Sequence, residues 1–221
     1  MALAFSKTNG TAQKNSHEAF VYKDGENTFR LVGGILPRYV YWLKGTNNKD
    51  IPVECLAFSR DKEKFDNKEH DYVQEYFPES KCAWSYSANC IATVDGKKKV
   101  VVVNLKKKLF ASLCSAAEDL GLDPTDPDNG FDVVFKRVKT GALAWNVEYT
   151  LSQLKLKKRA LSEEEKALLT SEDYLDIDKK FIRQTPEEVK SLMERLSKGA
   201  PAETEAEDTS GVDAEAVSDL G

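Results

Sequence analysis

Residues 84–120 read WSYSANCIATVDGKKKVVVVNLKKKLFASLCSAAEDL, and they contain three consecutive elements. The pattern of 84–94 indicates a strand, and Asp95-Gly96 is a two-residue turn into a second strand at 99–105. Apolar residues then recur at helical spacing from Leu109, and Gly121 predicts the end of this helix. A hairpin followed directly by a helix is therefore the centre of the predicted fold.

Shorter strand patterns lie on both sides of this centre. They are predicted at 28–32, 38–44, 51–56, 131–139 and 144–154. Gly33-Gly34 predicts a bend between the first two. About five short strands, with a helix before the last hairpin, favour a mainly β fold with added helices. We expect an OB-fold-like, five-stranded, partly open Greek-key barrel rather than a sandwich or a parallel α/β sheet.

The remaining segments predict a body with extensions at both ends. The expected divisions are a flexible arm at 1–19, a barrel core at 20–158 with a polar insertion at 59–80, a helical extension at 159–199 and a disordered acidic tail at 200–221. Ser162 and Thr185 are the predicted N-cap residues of two helices in the extension.

Charge is distributed unevenly along the chain. Residues 1–160 hold 25 Lys and Arg against 20 Asp and Glu, whereas residues 161–221 hold 7 against 17. No basic residue follows Lys198, and seven acids do. A basic body with an acidic tail predicts a protein that binds a polyanion and whose tail competes with it or recruits partners.

Aromatic and basic side chains alternate in two of the predicted strands. Alternate residues of a strand share a face, so exposed rings there could stack on the bases of a single strand while cations meet its phosphates. The candidate contacts from these strands are Arg38, Tyr41, Trp42, Lys44, Lys81, Trp84 and Tyr86. The alternative is that the rings belong to a core, because strands favour aromatic residues in any case.

Three basic clusters add further candidates. Lys97, Lys98 and Lys99 precede a run of four valines, Lys106, Lys107 and Lys108 follow it, and Lys136, Arg137 and Lys139 lie in the closing hairpin. These clusters could track a phosphate backbone. For the first two, the alternative is a pair of charged gatekeepers around a buried strand.

Other classes of function find little support. The sequence has no nucleophile elbow, no phosphate-binding glycine loop and no paired metalloprotease histidines, so no enzyme and no cofactor is predicted. His70, Cys82 and Cys90 lack the close Cys pair of structural zinc sites, so we predict no metal. No apolar run is long enough for a membrane span and no secretory signal is recognised, which predicts a cytoplasmic protein with reduced thiols.

Two stretches carry a resemblance to a known family. Residues 85–110, SYSANCIATVDGKKKVVVVNLKKKLF, resemble the Ser-Tyr-aromatic-Ala-Asn strand, turn, basic strand and helix start of the single-stranded DNA-binding (helix-destabilising) proteins of tailed phages. Residues 123–151, DPTDPDNGFDVVFKRVKTGALAWNVEYTL, are similar to that family's Pro-rich loop and lysine-rich closing hairpin. The acidic tail ending in Asp219-Leu220 is like its partner-binding C-terminus.

The resemblance implies roles for individual residues. Tyr86 falls on a DNA-stacking tyrosine, Lys107 and Lys108 on a basic pair, and Phe131 and Lys136 on a hairpin that lines the DNA cleft. Partner binding would fall to Asp213, Glu215, Val217, Asp219 and Leu220. The chain departs from the family where its best-known members have a zinc subdomain, because the His-Cys-Cys-Cys set is incomplete, and in its reduced basic arm.

The predicted function is therefore non-enzymatic coating of single-stranded DNA during replication, recombination and repair, in the cytoplasm of a phage-infected cell. Expected partners are single-stranded DNA, a polymerase, helicase or primase recruited by the tail, and further copies of the chain on the DNA. The alternatives are a protein-interaction module whose acidic tail mimics DNA, and an RNA chaperone. Salt dependence separates the first of these alternatives from DNA binding, because counterions are released when a protein binds phosphates.

Overall fold

The computed structural model describes residues 18–45, 50–142 and 146–199. The elements are β1 (Gly25–Lys44), β2 (Asp50–Glu54), β3 (Phe58–Ser59), β4 (Lys64–Phe65), α1 (Tyr72–Tyr76), β5 (Cys82–Val94), β6 (Lys97–Leu105), α2 (Lys107–Leu120), β7 (Val133–Lys139), β8 (Val147–Leu151), a 3-10 helix (Gln153–Lys155), α3 (Glu163–Leu168), α4 (Ile177–Lys180) and α5 (Pro186–Ser197). The predicted tail and its partner-binding residues lie outside the described residues, as does most of the predicted arm.

The main sheet has six antiparallel strands. Five lie in the order β6-β5-β1-β7-β8, and the sixth, β2, pairs with the C-terminal end of β1. β1 is long enough to pair with three strands, and its pairing with β5 shifts register between Val32 and Ile35. Gly33 lies at this register shift. A glycine is required there because φ is +75° and a Cβ would lie 2.3 Å from the Tyr174 hydroxyl. Among the described residues, strands outweigh helices, which confirms the prediction of a mainly β fold with added helices. The sheet formed by these residues is open and not closed.

The first core lies between the sheet and α2. The helix buries Leu109, Leu113 and Ala116 against Phe29, Phe135 and other apolar side chains of the sheet. It ends at Gly121, whose φ of +62° lets the backbone N–H donate to Ala117 and Glu118. Both the hairpin and the helix predicted from residues 84–120 are confirmed.

A second core joins the insertion to the C-terminal helix. Asp71 caps α1, and Val73 of α1 packs with Phe58, Leu192 and Met193. The insertion at 59–80 therefore has a polar surface but contributes Val73 to a core. α5 begins with the predicted cap, since Thr185 and Glu188 form a capping box.

The rest of the extension covers the outer face of the sheet. Leu161 packs on Val32 and Val100, and Ile177 with Phe181 packs on Leu36 and Val102. Ser162 caps α3 in a second capping box, as predicted. The segment from Leu161 to Phe181 is consequently a layer on the sheet.

The N-terminal residues occupy an edge of the sheet. Ala19 forms a parallel bridge with Val102 of β6, and the two flanking backbone hydrogen bonds measure 2.8 and 3.0 Å. The Tyr22 hydroxyl donates to the Asn104 carbonyl at 2.9 Å. The chain is therefore anchored from Glu18 onward, so the last two residues of the predicted arm lie on the sheet.

Candidate nucleic-acid interface

Five rings lie in contact across the boundary between the two cores, and we call them the aromatic row. In order they are Phe65 of β4, Tyr39 of β1, Trp84 and Tyr86 of β5, and Phe110 of α2. Successive ring centroids lie 4.8, 4.6, 4.5 and 3.7 Å apart. The row therefore runs from the β3–β4 hairpin to the first turns of α2.

The rings of the row differ in exposure, and the buried Phe58 packs against the row. Phe58 lies 5.3 Å from Trp84 and is fully buried, while Phe65 remains 46% exposed. Tyr39, Trp84 and Phe110 are half-buried. The two interpretations of these strands both apply, because the same rings pack on the cores and most of them remain partly exposed.

Tyr86 is the most enclosed ring of the row. It is 8% exposed and stacks on Phe110 with an angle of 28° between the rings. Burial raises the pKa of its hydroxyl, and the negative charge of Glu63 at the hairpin tip adds to the effect. Tyr86 therefore contributes to packing as well as to the row, so its removal is expected to lower stability.

The basic end of the row is the N-terminus of α2. Lys106 is the N-cap residue, and among the described residues its side chain makes no capping hydrogen bond. Lys107 and Lys108 follow in a first turn that contains no acid. Cations here oppose the helix dipole, and the backbone N–H groups of the first turn point outward. An anion is favoured at this position, one turn from the Phe110 ring.

Besides Tyr86, three predicted contact residues are buried. Arg38 is 9% exposed, because its guanidinium lies 3.7 Å from the Phe181 ring and donates to Ser87 at 3.0 Å. Tyr41 is 2% exposed and donates to Asp71 at 2.7 Å, and Phe131 lies inside the first core. The expectation that two charges on one strand face exclude burial is wrong for Arg38, since the extension covers that face.

Many of the other predicted cations are paired with acids of the same chain. Lys98 contacts Glu165 and Lys99 contacts Glu18, each at 2.9 Å. Lys44 pairs with Asp50, and Arg137 pairs with Asp24. Trp42 is half-buried, whereas Lys81, Lys97, Lys136 and Lys139 are exposed. Lys136 and Lys139 lie on β7, which β1 separates from β5, so they are not part of the row.

Two thiols meet beside the row. The Cys55 thiol donates to Asp71 at 3.3 Å, and the neighbouring Cys55 lowers the pKa of the Cys82 thiol from its usual value. Among the described residues no group of three or more His, Cys, Asp or Glu is placed to hold a metal ion. His70 is exposed beside Glu75, whereas Cys90 is buried in the first core.

Two rings of the row, Trp84 and Tyr86, are among the contacts predicted from the sequence, and the other three are not. Tyr39 lies within the predicted strand 38–44 but is not among its candidate contacts. Phe65 lies in a charged segment, and Phe110 lies in a helix pattern typical of a core. The signal that could identify Phe65 is an aromatic residue between charged neighbours, in KEKFDNK.

Comparison with known proteins gives one informative match. No family model matches the chain. The chain is similar to a curated protein of Escherichia phage T5 described as a probable ssDNA-binding protein, with 26% identity over 258 aligned positions. The alignment covers all of this chain and 99% of the phage protein. Separately, none of the described helices combines the length and apolarity needed to cross a membrane.

Proposed function

We propose that this protein binds single-stranded DNA along the aromatic row, with its phosphates at the N-terminus of α2. The observation that carries the proposal is the continuity between five contacting rings and a helix start bearing three lysines. The similarity to a probable ssDNA-binding protein along the whole chain supports it.

The chemistry of the row suits binding without sequence preference. Every base has a flat face, and stacking on a protein ring stabilises a complex by about 1–3 kcal/mol per base. Duplex DNA hides these faces within its own stack, so the row would discriminate against it. Lys106, Lys107 and Lys108 would add affinity that depends steeply on salt. Binding of this kind requires no enzymatic step.

Binding to an oligo-dT and to a duplex of equal length tests the proposal. We expect tryptophan fluorescence to fall with oligo-dT, because Trp84 is in the row, and the affinity for the duplex to be much lower. The affinity for the single strand should fall with salt at a slope of about −0.7 per phosphate neutralised. Equal affinity for both DNAs, or binding insensitive to salt, would favour the protein-interaction alternative. A preference for oligo-U would favour RNA.

Replacing Phe65 with Ala should weaken binding to oligo-dT by about 1–3 kcal/mol. Phe65 is the most exposed ring of the row, so the melting temperature should change little. Leu154→Ala is the control, since Leu154 is 95% exposed in the 3-10 helix and is not part of the row, so neither affinity nor the melting temperature should change. A loss of stability without a loss of affinity in the Phe65 variant would show that this ring only supports the hairpin.

We extend the proposal to the fold and the biological setting. The order β6-β5-β1-β7-β8, with α2 between β6 and β7, supports an OB-fold-like barrel. The phage relative supports a role in coating single strands in an infected cell. The proposed setting is DNA replication, recombination and repair. The proposal also includes recruitment of a polymerase, helicase or primase, and self-association of the protein on DNA.

Deleting residues 200–221 is expected to tighten single-strand binding, most strongly at low salt where screening is weakest. The segment holds seven acids and no basic residue, and it follows α5, whose partner α1 belongs to the insertion that carries Phe65. A tethered polyanion is present at a local concentration of about millimolar and should compete with DNA. The deletion should also abolish binding to replication proteins, because Val217 and Leu220 supply apolar anchors among the acids. Unchanged affinity at low salt would leave recruitment or solubility as the role of the tail.

A further inference from the structure

The turn that leads into the β3–β4 hairpin is held by one arginine of the C-terminal extension. The backbone at 55–58 is buried, and its carbonyls need donors. Arg183 Nη2 donates to the carbonyls of Cys55, Leu56 and Phe58 at 3.3, 2.6 and 2.7 Å. A single guanidinium group from a distant segment thus contacts three carbonyl oxygens of one turn.

A reciprocal contact runs in the opposite direction. Arg60, which follows β3, donates to the Phe181 carbonyl at 2.8 Å and to both carboxylate oxygens of Glu54. The Arg183 Nε atom lies 3.9 Å from that same carboxylate. Glu54 is 8% exposed, so the two arginines share a buried counter-charge. Arginines on both sides therefore connect residues 181–183 to the base of the hairpin. We call these contacts of Arg183 and Arg60 the latch.

The turn that the latch contacts leads into a hairpin that carries two rings. Phe58 and Phe65 are register partners in the hairpin, with ring centroids 5.5 Å apart. Phe58 supports Trp84, and Phe65 contacts Tyr39 at 4.8 Å. The paired strands have only two residues each, so the hairpin alone has little to hold it in place.

We propose that Arg183 is a positioning residue for single-strand binding: through the latch it holds the β3–β4 hairpin so that Phe65 completes the aromatic row. Arg183 acts by donating hydrogen bonds to the backbone carbonyls of the turn, and not by contact with bases. This inference rests on the proposed function. It adds that the C-terminal extension sets the geometry of one end of the binding surface.

The test compares Arg183→Ala with the wild-type protein in two measurements. In the absence of DNA, amide hydrogen exchange over 58–66 and trypsin cleavage after Lys62 and Lys64 report opening of the hairpin. We expect both to approach the rates of an unstructured segment, because cleavage and exchange follow the population of the open form and the closed hairpin would become the minor state. The Kd for oligo-dT should also rise about tenfold, in the range expected for losing one stacked base.

Two further variants control for unfolding. Lys166→Ala removes a cation of the same extension that pairs with Glu163 at 3.2 Å and takes no part in the latch, so hairpin exchange should stay at the wild-type rate. Arg183→Lys keeps the charge beside Glu54 but lacks the guanidinium fork, and both readouts should be intermediate. If Arg183→Ala fails to fold, the Lys variant carries the comparison.

The outcomes separate the latch from the proposed function. Wild-type hairpin exchange in the Arg183 variants would overturn the inference, and so would an open hairpin with unchanged DNA affinity. Faster exchange together with weaker binding supports it. A wild-type protein that does not bind oligo-dT would overturn the proposed function and the role of Arg183 in binding, while the exchange data would still show whether the latch exists.

Discussion

Replacing Glu165 with Gln is expected to lower the free energy of unfolding by about 3 kcal/mol at pH 7. Glu165 is 2% exposed and accepts hydrogen bonds from Arg159 at 2.6 and 3.0 Å, from Lys98 at 2.9 Å and from the Ser162 amide at 2.8 Å. Removing the charge leaves two cations around a neutral amide. The site joins the extension to β6, so its loss should loosen the layer that covers the sheet.

The same carboxylate predicts how stability depends on pH. Burial alone would raise the pKa of Glu165, but the hydrogen bonds from Arg159, the Ser162 amide and Lys98 outweigh it and lower the pKa from 4.5 to about 2. The unfolded chain binds the proton first as pH falls. The stabilisation is therefore complete above about pH 4.5 and is lost progressively toward pH 2.

Urea unfolding at pH 7, 4.5 and 3 measures both effects. The difference in unfolding free energy between wild type and Glu165→Gln should shrink as pH falls. Glu164→Gln is the matched control, because Glu164 is an exposed acid on the same first turn of α3, and it should unfold like wild type. A Glu165 variant with wild-type stability at pH 7 would show that burial of the charge cancels its pairing.

Replacing Lys106, Lys107 and Lys108 together with Gln should weaken binding to oligo-dT by about 100-fold at 0.1 M salt. Three lost phosphate contacts reduce the salt slope by about 2, and that slope sets the loss at this concentration. The melting temperature should change little, because three cations no longer oppose the dipole of α2, and this gain offsets the loss of the Lys106 ammonium 5.9 Å from the centre of the Tyr22 ring.

The control for this variant is an equal change of charge elsewhere. Gln at Lys157, Lys158 and Lys198 removes three exposed lysines that lie outside α2. This variant should bind oligo-dT nearly as well as wild type. An equal loss in both triple variants would mean that net charge, and not the N-terminus of α2, governs binding.

Local patterns predicted much of this structure. The hairpin and helix of 84–120 follow from alternation, a turn dipeptide and helical spacing, which depend only on neighbouring residues. The caps Ser162 and Thr185 are equally local, since each bonds the backbone three residues ahead. Both were predicted correctly for that reason.

The contacts that define the site are not local. Arg38 is buried by Phe181, and nothing in the pattern around Arg38 indicates a partner so distant in the chain. The aromatic row collects rings from two strands of the sheet, the insertion and α2, and only the folded chain brings them together. Strand alternation could show that rings share a face, but not which face the extension would cover.

The bridge between Ala19 and Val102 has a consequence for crowding. β6 contains four consecutive buried valines, and an open edge beside such a strand is a template for joining another sheet. The segment from Glu18 to Phe20 occupies that edge at Val102. If the proposed binding brings copies side by side on one DNA strand, residues 18–20 would cover the part of this edge at Val102 through which neighbouring sheets could otherwise pair.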